Sequence, residues 1–89
     1  MIYDIILSPQ AEKDLISYTK AGDRQKLQKV EALFEELKQH PKTGTGKPEM
    51  LKHKYSGCWS RRIDNEHRIV YSIEEEIITV FVISARGHY

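Results

Sequence analysis

Two parts of this sequence hold side chains that could act together on a phosphodiester. Glu49 follows a glycine-containing loop, Arg62 and Arg68 flank a predicted hairpin turn, and His88 sits near the end of the chain. Cleaving RNA without a metal requires a base for the 2′-hydroxyl proton, cations for the charge that builds on the phosphorane, and an acid for the departing 5′-oxygen. A carboxylate, guanidinium groups and an imidazole are candidates for those three tasks. Each residue also has an ordinary explanation. A loop carboxylate such as Glu49 is usually solvated, a penultimate His is usually frayed, and arginines beside Asp64 and Glu66 can be plain surface groups. Lys52, His53 and Lys54 read equally well as a solvated run. Trp59 and Tyr71 are the aromatic residues expected in a core, while Tyr55 fits either role.

Other chemistries fit less well. His40, His53, His67 and His88 lack ligand spacing and Cys58 has no cysteine partner, so neither a zinc site nor any other cofactor is expected. Gly44-Thr45-Gly46-Lys47 does not have the spacing of a phosphate-binding loop. No nucleophile elbow supports a Ser-His-Asp arrangement. With 14 Lys and Arg against 13 Asp and Glu the net charge is +1, which decides nothing about nucleic acid. Its distribution is more informative: residues 42–68 hold 7 basic and 3 acidic groups, a local excess that would attract phosphates at short range.

The elements that must position these groups can be read from periodicity. At 89 residues, 39% hydrophobic and 30% charged, the chain is expected to form one globular domain over 1–89, burying roughly 60 to 65% of its unfolded surface. Its longest apolar run, 77–83, is far shorter than the roughly 20 residues of a membrane helix. The N-terminal stretch has no basic residue before it, and the lone Cys58 cannot pair internally; a cytoplasmic setting is expected, with no membrane association.

Ile2, Ile5, Ile6 and Leu7 predict a first strand. Ser8 is a natural helix N-cap with Pro9 at the first helical position, and Ala11, Leu15, Ile16 and Tyr18 supply the apolar stripe of a helix ending near Gly22. Asp23 caps a second helix carrying Leu27, Val30, Leu33, Phe34 and Leu37, stopped by His40-Pro41. After a loop over 41–48 the period changes to that of strands, predicted at 51–55, 58–63, 67–73 and 77–83. Short turns make these an antiparallel meander, giving an α+β fold: a strand, two helices, then three or four strands, with both helices on one sheet face. If Trp59 and Ile63 share the core face with Ile69 and Tyr71, Arg62 lies near Arg68 on the opposite face. If Val70 claims the core instead, the register argument flips.

Four blocks of sequence carry a resemblance. Gly46-Lys47-Pro48-Glu49-Met50-Leu51-Lys52, Ser56-Gly57-Cys58-Trp59-Ser60-Arg61-Arg62-Ile63, Glu66-His67-Arg68-Ile69-Val70-Tyr71 and His88-Tyr89, in that order, resemble the YoeB/Txe toxins of the RelE superfamily. The resemblance is dense from Gly44 to Tyr89, and residues 1–41 resemble the wider superfamily. It implies a microbial-ribonuclease-like fold and a ribosome-dependent, metal-independent endoribonuclease that cuts mRNA in the ribosomal A site. It further implies silencing by a YefM/Axe-like antitoxin, and a homodimer. Carried over to this sequence, it makes Glu49 the general base, Arg68 the transition-state arginine, His88 the general acid and Tyr89 a group that positions the scissile phosphate. Arg62 and Lys52 become phosphate or RNA contacts, with Lys47 and Arg61 as weaker candidates for ribosomal RNA.

The sequence departs from the family pattern at Met50, Cys58, Ala85 and Gly87. Gly87 matters most, because glycine frees the backbone just before His88 and Tyr89. Two other functions stay open within the resemblance: a ParE-like gyrase-inhibiting toxin, and a catalytically weakened RNA- or ribosome-binding module.

Overall fold

The structure is a computed structural model that describes residues 1–87; His88 and Tyr89 lie outside the described residues. Strand β1 (Asp4–Leu7) leads into helix α1 (Pro9–Lys20), whose N-cap Ser8 accepts a hydrogen bond from Ala11 N at 3.0 Å. The Ser8 hydroxyl in turn donates to Ile83 O at 2.6 Å, tying the start of the helix to the sheet. Helix α2 (Arg24–Gln39) is capped by the Asp23 carboxylate, which accepts from Lys26 N. Both caps and both helix ends fall where the sequence predicts them.

Helix α1 faces the core with most of the predicted stripe, Ala11, Tyr18 and the partly buried Leu15, but not with Ile16. Ala11, Asp14 and Tyr18 are buried, whereas Ile16 is 52% exposed. At about 100° per residue, position 16 points away from a stripe at 11, 14 and 18. The inward place goes instead to a carboxylate, which holds the chain where it leaves the sheet's last strand.

Strands β2 (Glu49–Met50), β3 (Trp59–Arg62), β4 (Arg68–Glu74) and β5 (Thr79–Ser84) join β1 in a five-stranded sheet of order β1-β5-β4-β3-β2. The meander is antiparallel as expected, while β1 adds to it by running parallel to β5, with Ile5 beside Val80 and Leu7 beside Val82. The predicted strand at 51–55 is not formed. Pairing Glu49 with Ser60 and Met50 with Trp59 puts the hairpin's midpoint between residues 54 and 55. That segment must therefore turn, and it does so as a 3-10 turn at His53–Tyr55.

Pairing of Trp59 with Tyr71 and of Arg62 with Arg68 matches the first of the two registers. Ile69, Tyr71, Val80 and Val82 meet Ala11, Tyr18, Val30, Leu33 and Leu37 in the core beneath the helices. The opposite face is not bare, however, since Ser60 and Val70 are buried there too. In β5 the register slips at Val70/Tyr71, where Tyr71 pairs with Val82 and Val70 with Ser84. The unpaired Ile83 between them is a bulge, a device that bends a strand and re-aims the residues beyond it.

Candidate active site

Glu49 and Arg68 are 19 positions apart in the chain but are neighbours in space. Arg68 Nη1 donates to Glu49 Oε1 at 2.8 Å. The pair forms because β3 lies between their strands, with Ser60 opposite both Glu49 and Val70 and with Arg62 opposite Arg68. Residues alternate across a strand, so Glu49, Arg62 and Arg68 share one face. Glu49 keeps 53% of its side chain exposed, and Arg68 keeps 22%. A reagent can therefore reach the carboxylate, while the guanidinium is held more closely. Arg62 is half-buried, and its Nε–H is buried without an acceptor among the described residues. Two guanidinium groups in register, one with a desolvated donor to spare, match the fork geometry with which arginine takes phosphate oxygens.

The loop before Glu49 is fixed from behind. Gly46 O accepts a short 2.6 Å bond from Arg62 N, and Gly46 takes φ +81°. A Cβ at this position would lie 2.9 Å from Arg62 O. Glycine is therefore required for the loop to sit against β3. Lys47 and Lys52, exposed and on either side of Glu49 in sequence, carry the basic character of the segment into solvent.

Arg61 requires a correction. The resemblance makes it a ribosomal RNA contact, but its side chain is 0% exposed and faces the helices. Alternation decides this: with Trp59, Ile69 and Tyr71 inward, Arg61 must point inward as well, and Arg62 outward. Its Nη1 bonds Glu36 Oε1 at 2.9 Å, Nη2 bonds His40 O at 2.7 Å and Thr43 O at 2.5 Å, and Nε bonds the Tyr71 hydroxyl at 3.2 Å. The Tyr71 hydroxyl then donates to Pro41 O at 2.7 Å. The guanidinium thus clamps the loop that leads to Glu49. Partial burial works against ionisation of Glu36, but two hydrogen bonds from Thr45 and the Arg61 charge outweigh it, leaving the carboxyl below its ordinary pKa. Burial pushes the Tyr71 phenol up, only partly offset by Arg61.

At the other end of the sheet the chain leaves β5 through Ala85, Arg86 and Gly87. The buried Asp14 accepts from Ala85 N at 2.9 Å, and the Tyr18 hydroxyl donates to Ala85 O at 2.6 Å. Burial raises the Tyr18 phenol to about 12, so it remains a proton donor throughout the neutral range. Gly87 O accepts from Arg68 N at 3.0 Å, and Gly87 N donates to His67 Nδ1 at 2.8 Å. Gly87 therefore does not free the backbone as the sequence suggests. It is held at φ +76°, a left-handed conformation natural to glycine. The expected catalytic residues His88 and Tyr89 come after it, outside the described residues. Sequence reasoning missed Glu36, Asp14 and His67; the only trace of Asp14 was its spacing three residues after Ala11 and four before Tyr18 on the inward stripe.

A family profile described as "YoeB-like toxin of bacterial type II toxin-antitoxin system" matches residues 7–89. The chain is 41% identical over 81 residues to Toxin YoeB of Mycobacterium bovis, covering 91% of this chain and 92% of that one. A YoeB/ParE toxin from Agrobacterium tumefaciens superposes with a TM-score of 0.90 at 34% identity, over 97% of this chain and 99% of that one. From Staphylococcus aureus, a heterotetrameric YoeB-YefM complex and a YoeB dimer superpose with TM-scores of 0.84 and 0.86, each at 32% identity and over the full length of both chains.

Proposed function

Because the chain belongs to the YoeB-like toxins of bacterial type II toxin-antitoxin systems, we propose that it is an endoribonuclease that cuts mRNA on the ribosome without a catalytic metal. The contact between Glu49 and Arg68, with Arg62 across from Arg68, carries this reading. It sets an exposed carboxylate beside two cations that suit a phosphate. In the reaction Glu49 takes the proton of the 2′-hydroxyl, and that oxygen attacks the neighbouring phosphorus. Arg68 and Arg62 stabilise the phosphorane, the bond from phosphorus to the 5′-oxygen breaks, and His88 gives that oxygen a proton. The products are a 2′,3′-cyclic phosphate upstream and a 5′-hydroxyl downstream. Tyr89 helps hold the scissile phosphate, and Lys47 and Lys52 lie where the RNA or ribosomal RNA backbone would pass.

Gly87 O accepts from Arg68 N, which ties the described end of the chain to the strand that carries Arg68. On this reading the protein acts in the cytoplasm, where ribosomes translate. Its partner is a YefM-like antitoxin, as the S. aureus complex suggests, and it self-associates as the S. aureus YoeB does in its dimer. Among the described residues no helix is long and apolar enough to cross a membrane.

Adding the protein to a translating extract and mapping RNA ends tests the proposal. Discrete cuts inside translated messages are expected. Blocked DNA supercoiling with intact messages would instead indicate a gyrase poison, and arrested translation with intact messages a non-catalytic binder.

A further inference from the structure

Two adjacent residues at the start of β4 grip Gly87 from both sides. His67 Nδ1 accepts its N–H at 2.8 Å, and the N–H of Arg68 bonds its carbonyl at 3.0 Å. We propose that His67 is a positioning residue, the clamp that sets where the acid-bearing tail starts relative to Glu49 and Arg68. Its catalytic consequence rests on the nuclease reading above; its effect on Gly87 does not.

Several observations favour a built clamp over a chance contact. Because Gly87 N–H can only donate, Nδ1 must be the unprotonated acceptor, which places the ring's proton on Nε2. Glu66 Oε2 lies 3.8 Å from that Nε2. The Tyr18 ring meets the imidazole edge to face, with centroids 5.7 Å apart and planes at 68°. The His67 side chain is 15% exposed, so its rotamer is set by packing. Upstream, Ala85 is held independently by Asp14 and Tyr18, and Arg86 reaches the Ser17 hydroxyl at 2.7 Å. Removing the His67 acceptor therefore leaves Gly87 held through its carbonyl alone, by the Arg68 N–H, while helix and sheet stay joined. A catalytic acid displaced by about 1 Å loses on the order of 10²-fold in rate. Substrate binding, governed mainly by the cations, should scarcely change.

The test compares His67→Leu, which removes the acceptor, with His67→Asn, whose Oδ1 branches from Cγ as Nδ1 does. Two readouts are taken: single-turnover cleavage on programmed ribosomes, together with ribosome affinity, and the exchange rate of the Gly87 amide by NMR. His67→Leu should cut roughly 10 to 10²-fold more slowly at unchanged affinity and expose the Gly87 amide to exchange. His67→Asn should recover most of both losses. Equal cleavage by wild type and His67→Leu, or an Asn variant no better than the Leu variant, overturns the clamp. If wild type cuts no message at all, the nuclease reading fails and the Gly87 amide alone decides. Exposure in His67→Leu but not in His67→Asn then upholds the clamp, and unchanged exchange in both refutes it.

Discussion

Replacing Arg61 with Met should unfold the protein far more readily than the same change at Arg62, although the two residues are adjacent and chemically identical. Met keeps much of the apolar stem but removes bonds to Glu36, His40 O, Thr43 O and the Tyr71 hydroxyl. Removing one partner of a buried ion pair costs about 3 to 5 kcal/mol. Glu36 keeps 24% of its side chain exposed and can turn to water, which argues for the lower end, about 3 kcal/mol. A domain of this length is stable by roughly 4 to 13 kcal/mol, so the loss is a large share. At about 4 to 8 °C per kcal/mol, Tm should fall by roughly 12 to 24 °C. Urea unfolding monitored by Trp59 fluorescence measures the change, and an unaltered m-value would confirm that stability itself has shifted. Arg62→Met, outward-facing and with a donor lacking an acceptor among the described residues, should lose less than about 1 kcal/mol while cleavage drops. Should Arg61→Met unfold within about 1 kcal/mol of wild type, the inward clamp is wrong.

Other perturbations separate chemistry from stability. Glu49→Gln should lower single-turnover cleavage by roughly 10² to 10⁴-fold and leave the thermal melt nearly unchanged, because exposed ion pairs contribute about 0 to 1 kcal/mol. Since the Glu36 carboxyl sits below its ordinary pKa when folded, its stabilising effect is complete above the unfolded-state value of about 4.3. That effect is lost as pH falls through the folded value, so urea unfolding between pH 6 and pH 3 should show a steeper loss for wild type than for Glu36→Gln. Gly87→Ala meets no atom of the described residues within 4 Å beyond its chain neighbours, yet must adopt φ +76°, a strain of about 1 to 2 kcal/mol for an L-residue; cleavage should slow while the melt of the core stays in place.

Elements set by local chemistry were legible in the sequence. Ser8-Pro9 and Asp23 announce their helices, and the period change after residue 48 announces the sheet. The Arg62–Arg68 pairing was legible only as one of two registers, because Ile69 and Val70 are both apolar and both buried. The same parity decides between Arg61 and Arg62, which is why the inward arginine passes for an RNA contact in the sequence. Segment 51–55 looks extended because Leu51, His53 and Tyr55 alternate with lysines, but the register that Glu49 and Met50 share with β3 leaves no room for a strand there. Parallel pairing of β1 with β5 and the tail's anchors at Asp14, Tyr18 and His67 join residues 20 to 75 positions apart. No periodicity within a window reports such contacts. Glu49 and Arg68 were candidates by residue type and received their roles through the resemblance, while their contact is a structural finding that spacing alone did not supply.

The central claim is attack by a 2′-hydroxyl on its own phosphate, drawn forward by the carboxylate of Glu49. Ribosomes programmed with a message whose nucleotide 5′ to the cut carries hydrogen in place of that single hydroxyl test it most directly. The account expects cleavage at that bond to vanish while an unmodified message in the same reaction is cut. Cleavage at the substituted bond, leaving a 5′-phosphate on the downstream fragment, would contradict it.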